Sequence, residues 1–220
     1  MTATMTLDRP GIGDGLYSVT GATRILGHGD RSISPTKVRR WLEAALTFSR
    51  RDFADGSVGL TFHDLVSLEL VARFRERGVS MQKVHTLEAR LQKRHPDLER
   101  PFAYDVFYSD GTSIWAGLGP DDAIEVVGDR PDHYVWAGAI RSFAEEIDYS
   151  TSTRGVARWR PAPGVEIDPT RQFGQPVVAG TRTRVATVLS ALREGSQREV
   201  AEWYGLSALQ VAAAKTYGER

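Results

Sequence analysis

The sequence predicts an α+β fold, mainly α: an N-terminal winged helix-turn-helix, a small β-containing middle region and a C-terminal helical unit of helix-turn-helix type. Three observations predict it. Apolar residues recur at helical spacing from Ser18 to Leu42 and again from Thr61 to Leu91. Alternation with turn chemistry replaces that spacing between Phe102 and Gly117, and helical spacing returns from Ser196 to Thr216.

Met1 to Gly15 has neither a basic start nor an apolar middle, so residues 1–15 are expected as a flexible tail rather than a secretion signal or transit peptide. A short helix is expected over Ser18 to Leu26. The next begins at Ser34, which suits an N-cap, and Pro35, which suits a first turn where the backbone N–H is spare. Val38, Trp41 and Leu42 form its apolar side, while Thr36, Lys37, Arg39 and Arg40 form the other. Such side chains reach phosphates, and an Arg can pair bidentately with guanine in the major groove. A solvated charged face would leave the same pattern.

Ser49 to Leu60, with Gly56 and Gly59 among short apolar positions, is expected as a hairpin or wing, and its Arg50 and Arg51 are candidate phosphate contacts. Thr61 should cap a helix running to Arg77, with Phe62, Leu65, Val66, Leu68, Leu70, Val71 and Phe74 inward and Glu69, Arg73, Glu76 and Arg77 facing water. Gly78 supplies its stop. Ser80 caps the following helix, whose Met81, Val84, Leu87 and Leu91 make a core stripe that Pro96 ends.

This order over residues 16–96 resembles the MerR-like winged-helix group. The matching text is Tyr17-Ser18-Val19, Arg24-Ile25-Leu26-Gly27, Pro35 to Trp41, Leu60 to Val66 and Phe74 to Ser80. The resemblance implies a DNA-binding domain. Two departures stand out: about five extra residues around His28 to Ser32 between the first two helices, and no room before Pro96 for the coiled coil that dimerises that group. Dimerisation must come from elsewhere.

Residues 97–160 are expected to be a β-rich, acidic middle region. Phe102, Tyr104, Val106 and Tyr108 alternate, Asp110-Gly111 marks a turn, and Ser113, Trp115 and Gly117 follow, with Ile114 and Trp115 as core. Asp121 to Val127 and Tyr134 to Tyr149 fit helix or strand. Arg154, Arg158 and Arg160 around Trp159 are expected as a basic comb on an exposed edge strand, and Pro161-Ala162-Pro163-Gly164 as a linker. Residues 165–220 are expected as a C-terminal helical domain, for partner binding or dimerisation. There Ala201 sits where helices cross, Gly205 in the turn, and Val200, Leu206, Val211 and Ala214 inward. Its second helix offers only Gln210 and Lys215 to DNA.

Phe173-Gly174-Gln175-Pro176-Val177-Val178-Ala179-Gly180-Thr181-Arg182 resembles a small helical domain of undefined biochemical role that recurs in bacterial antitoxins. Together with Pro101-Phe102 and Asp110-Gly111, the chain resembles the larger VapB-type antitoxins paired with PIN-like ribonuclease toxins. That resemblance implies a homodimer that binds double-stranded operator DNA and neutralises a cognate PIN-like toxin. The toxin surface stays open between two sets. Arg154, Arg158 and Arg160 could fork onto the acidic centre of such a nuclease. Alternatively, the acidic block from Asp105 to Asp132 could cover its basic RNA-binding surface.

The zero net charge conceals segregation along the chain. Residues 1–96 carry 15 basic against 10 acidic side chains, residues 97–148 carry 3 against 12, and residues 149–220 carry 10 against 6. A basic N-terminal block fits phosphate contact, and the acidic middle would repel DNA. The absence of Cys excludes disulfides, thiolate catalysis and Cys-type zinc or iron–sulfur sites. No apolar run approaches the ~18 residues of a membrane span, so a cytoplasmic address is expected. Ser34-Pro35-Thr36-Lys37 matches a serine–lysine acylating pair without its companion motifs, Gly11 to Gly15 and Gly117 to Gly119 lack the rest of a dinucleotide site, and His28, His63, His85, His95 and His133 lack metal-ligand spacing. Neither an enzyme nor a cofactor is expected. The alternative is a stand-alone regulator whose Trp115, Tyr134 and Trp136 line a ligand pocket.

Overall fold

The computed structural model describes residues 15–27, 31, 33–44, 51–52, 58–98, 100–105, 107 and 142–219. Those residues form a mixed α/β structure of helices and two small antiparallel sheets. The first sheet holds β1 (Tyr17–Ser18), β2 (Arg51–Asp52) and β3 (Val58–Leu60) in the order β1-β3-β2, with Tyr17 opposite Leu60 and Arg51 opposite Gly59. Around it lie α1 (Val19–Leu26), α2 (Pro35–Ala44), α3 (Phe62–Glu76) and α4 (Met81–Arg94).

Each helix start has a local cause. Ser18 accepts from the Gly21 N–H at 3.0 Å, Ser80 from Lys83, and Thr61 forms a capping box with Asp64. Asp64 is fully buried and also pairs with Arg100, so this cap ties the start of α3 to the segment after α4. Val84, Leu87 and Leu91 of α4 are buried, as their spacing predicts.

The second sheet is a meander of β4 (Ile147–Tyr149), β5 (Val156–Ala162), β6 (Val165–Ile167) and β7 (Val177–Val178), in sequence order. Helices α5 (Val185–Ala191), α6 (Gln197–Tyr204) and α7 (Ala208–Gly218) follow. Gly205, at φ +60, provides the left-handed turn between α6 and α7. Val200, Leu206, Val211 and Ala214 are buried as the sequence suggests.

Four expectations are corrected. Pro161 to Gly164 is not a linker: Pro161 and Ala162 end β5 and Pro163-Gly164 turn the chain into β6, with Ala162 opposite Val165. β5 is not an edge strand: β4 and β6 flank it, and Trp159 at its centre is fully buried. Pro161 is tolerated because the β5–β6 register breaks between Trp159 and Ala162, and β4 begins only at Ile147, opposite Trp159. Phe102 is not in a strand either; it sits in a 3-10 turn, Pro101–Ala103, and packs with Phe107 against Phe74 at ring separations of 6.4 and 6.3 Å. Glu69, expected in water, is 1% exposed. The expectations for 108–141 lie outside the described residues.

Two cores result. One joins α1 to α4 with Phe102, Phe107, Phe143, Ile147, Val156, Trp159 and Ile167; the other joins Ala162, Val165 and Val178 to α5, α6 and α7. The β5–β6 hairpin contributes to both.

Candidate functional site

Helix α2 begins as its sequence dictates. The Ser34 hydroxyl accepts from the Lys37 N–H at 3.2 Å, and its carbonyl accepts from Val38 at 3.1 Å. Val38 and Trp41 insert into the first core at 0% and 2% exposure. With that side committed, Thr36, Arg39 and Arg40 are exposed, and the half-buried Lys37 holds its ammonium 5.3 Å from the Trp41 ring centroid. Neither Arg39 nor Arg40 makes an ion pair or hydrogen bond among the described residues. Arg51 lies in β2, the outer strand opposite Gly59, with its side chain outside the description, as is Arg50 altogether.

A charged frame that sequence reasoning missed fixes the connection leading into α2. From the connection before α2, Arg31 donates to Glu69 at 2.6 Å and to Glu76 at 2.9 Å, while Ile33 is buried. Glu69 also accepts from Arg73 Nε at 2.6 Å. Arg73 in turn forks onto both oxygens of Glu146 at 2.9 and 2.7 Å, 4.7 Å from the Phe143 ring centroid, and the Trp159 indole N–H donates to Glu146 at 3.2 Å.

Burial lifts the Glu69 carboxyl above its ordinary range, against the pull of Arg73 and Arg31. For Arg73, burial opposes the charge, yet Glu69 and Glu146 outweigh it and raise its pKa. A signal for this frame was present: Leu65 to Ala72 is apolar all round except for Ser67 and Glu69, and a charge in such a run must be paired.

The three arginines of the expected comb are all engaged within the chain. Arg154, at φ +61 and with its side chain 62% exposed, pairs with Asp105 at 3.0 Å. Arg160 pairs with Asp148 at 2.7 Å and donates to the Glu145 carbonyl at 3.2 Å. Arg158 lies 3.5 Å from the buried Glu166, which also takes Arg171 at 2.6 Å and the Gly180 N–H at 3.2 Å. Apart from Asp105, the acidic block to Asp132 lies outside the described residues, as do Trp115, Tyr134 and Trp136.

The Gly-x-Pro and Gly-Thr-Arg text has structural work to do. Gly174 sits at φ +77 and its carbonyl accepts from the Tyr17 hydroxyl at 2.8 Å; a Cβ there would overlap that hydroxyl. The Pro176 carbonyl accepts from Val185, and Thr181 closes the turn after β7 by donating to the Val178 carbonyl at 2.9 Å. Arg182 and Arg184 are exposed. Among the described residues no group of three His, Asp or Glu could hold a metal, and no helix is long and apolar enough to cross a membrane.

Residues 165–217 match a family described only as a protein of unknown function, DUF433. Over 162 residues the chain is 28% identical to a Mycobacterium tuberculosis protein named "Putative antitoxin VapB45"; the match covers 67% of this chain and 66% of that relative's length. The fold is similar to that of a solved structure, the X-ray crystal structure of Rv2018 from Mycobacterium tuberculosis, with a TM-score of 0.73 at 23% identity, covering 90% of this chain and 96% of that one.

Proposed function

We propose that this chain is the antitoxin of a toxin–antitoxin pair, a cytoplasmic homodimer that binds double-stranded operator DNA and neutralises a PIN-like ribonuclease toxin. The observation that carries the DNA reading is the outward face of α2, where Arg39 and Arg40 stand exposed and unengaged among the described residues while Val38 and Trp41 anchor the helix. In this reading, β2 and β3 are the wing of a MerR-like winged helix-turn-helix. Thr36, Lys37, Arg39 and Arg40 meet the major groove, and Arg50 and Arg51 meet phosphates. The similarity to an M. tuberculosis protein named as an antitoxin supports the second half.

For the toxin, Arg154 and Arg160 are the arginines best able to change partners. Their pairs with Asp105 and Asp148 are solvent-facing, and such pairs contribute only about 0–1 kcal/mol. Arg158 faces the buried Glu166 and is costlier to release. Two measurements test the reading. Gel shift of the DNA upstream of this reading frame should weaken with Arg39→Ala/Arg40→Ala, and equal binding would remove α2 as the reader. Co-expression with the protein encoded beside it should rescue growth and give a co-purifying complex that Arg154→Ala/Arg158→Ala/Arg160→Ala loosens; a complex of undiminished stability would move the contact elsewhere.

A further inference from the structure

A cleft of about 250 Å3 opens between α1 and the C-terminal helices. Its floor is apolar, built from Ile25, Pro176, Leu189 and the Tyr217 ring, and two guanidiniums stand at its walls: Arg24 from the last turn of α1 and Arg184 from the residue before α5. Among the described residues its lining includes no carboxylate. Neither arginine's side chain makes an ion pair or hydrogen bond among the described residues. Arg31, Arg73, Arg158, Arg160 and Arg171, by contrast, each face an acid of the same chain. Two unanswered cations over an apolar floor form the complement of a small acid with an apolar body.

We propose that this cleft binds a small organic carboxylate, with the carboxylate forked by Arg24 and Arg184 and the apolar body laid on Ile25 and Leu189. An inorganic phosphate would leave the apolar floor uncovered. A neutral compound of the same shape would leave both guanidiniums unanswered. The Arg184 wall is fixed in place, since its backbone bridges to Val177 and Val185 donates to the Pro176 carbonyl at 2.9 Å. An occupant would touch α1, which packs on α2. A link from the cleft to DNA rests on the reading proposed above, whereas binding itself does not.

The test follows the methyl signals of Ile25 and Leu189 by NMR in the full chain during titration with benzoate, with its neutral isostere benzamide, and with inorganic phosphate. Benzoate should move both signals to saturation, and benzamide and phosphate should bind at least about tenfold more weakly, the cost of losing a charge-assisted hydrogen bond or the apolar contact. Arg24→Gln and Arg184→Gln should each weaken benzoate by a similar factor and leave benzamide unchanged. No saturable shift with benzoate, or equal binding of benzamide or phosphate, overturns the proposal. So does wild-type benzoate affinity in both variants. Should a variant fail to fold, the benzoate–benzamide comparison on the unaltered chain decides alone. No DNA is present in the experiment, so its failure leaves the operator reading standing.

Discussion

Tyr17 and Gly174 are 157 residues apart in sequence and joined by one hydrogen bond. Burial, followed by the charge of Asp168 and the presence of Tyr217, raises the Tyr17 pKa above its ordinary 10.0. An acid whose pKa is raised on folding keeps its proton better in the native state. The linked stability is therefore complete below about pH 10 and declines as pH rises, because the unfolded chain ionises first. Tyr17→Phe should cost about 1 kcal/mol at neutral pH and flatten the fall of the urea midpoint between about pH 9 and about pH 11. An equally steep fall in that variant would assign the alkaline loss to other groups. The sequence made Gly174 conspicuous through its Gly-x-Pro setting, yet nothing local pointed to Tyr17 as its partner. The Glu69 frame was legible only in part: Arg73 lies four residues on along the same helix, whereas Arg31 and Glu146 come from other segments, and charge partners that distant leave no periodic trace.

Helices were legible because their causes are local. Ser34, Pro35, Val38 and Trp41 prescribe α2 within eight residues of chain, and the structure uses each in the expected role. The same locality shapes the DNA prediction. If Arg39 and Arg40 both neutralise phosphates, the double alanine variant should lower the dependence of log K on log salt by about 2 in slope, with little change in stability because both side chains are exposed. A gel-shift series in increasing salt measures that slope. Strand β5 was not legible. Pro161 and Pro163 are local signs of an edge or a linker; Pro163 lies in the hairpin turn, and Pro161 fits inside the sheet only because the register breaks opposite β6 and β4 starts no earlier than Ile147, opposite Trp159.

Across the whole molecule, the frame from Arg31 through Glu69 and Arg73 to Glu146 links the connection before α2 to the segment leading into β4. Arg73→Ala would leave the buried Glu69 to Arg31 alone and Glu146 to the Trp159 indole N–H, at an expected cost of about 2 kcal/mol. Denaturant unfolding followed by tryptophan fluorescence and by circular dichroism should report that loss, with the two signals still coincident in the unaltered chain because β5 and β6 serve both cores. A loss below about 1 kcal/mol would mean that the frame is dispensable. The segregated charge of the chain marked three regions, but the hairpin that joins the last two was concealed by its own turn residues.

That shared hairpin has a practical corollary. A protease or a synthetic nick at the Pro163–Gly164 bond divides the chain between two strands that need each other, Ala162 on one piece facing Val165 on the other. The pieces should behave as halves of a split reporter: each poorly folded alone, regaining native spectra on mixing, and able to signal by reassembly whatever brings their carriers together.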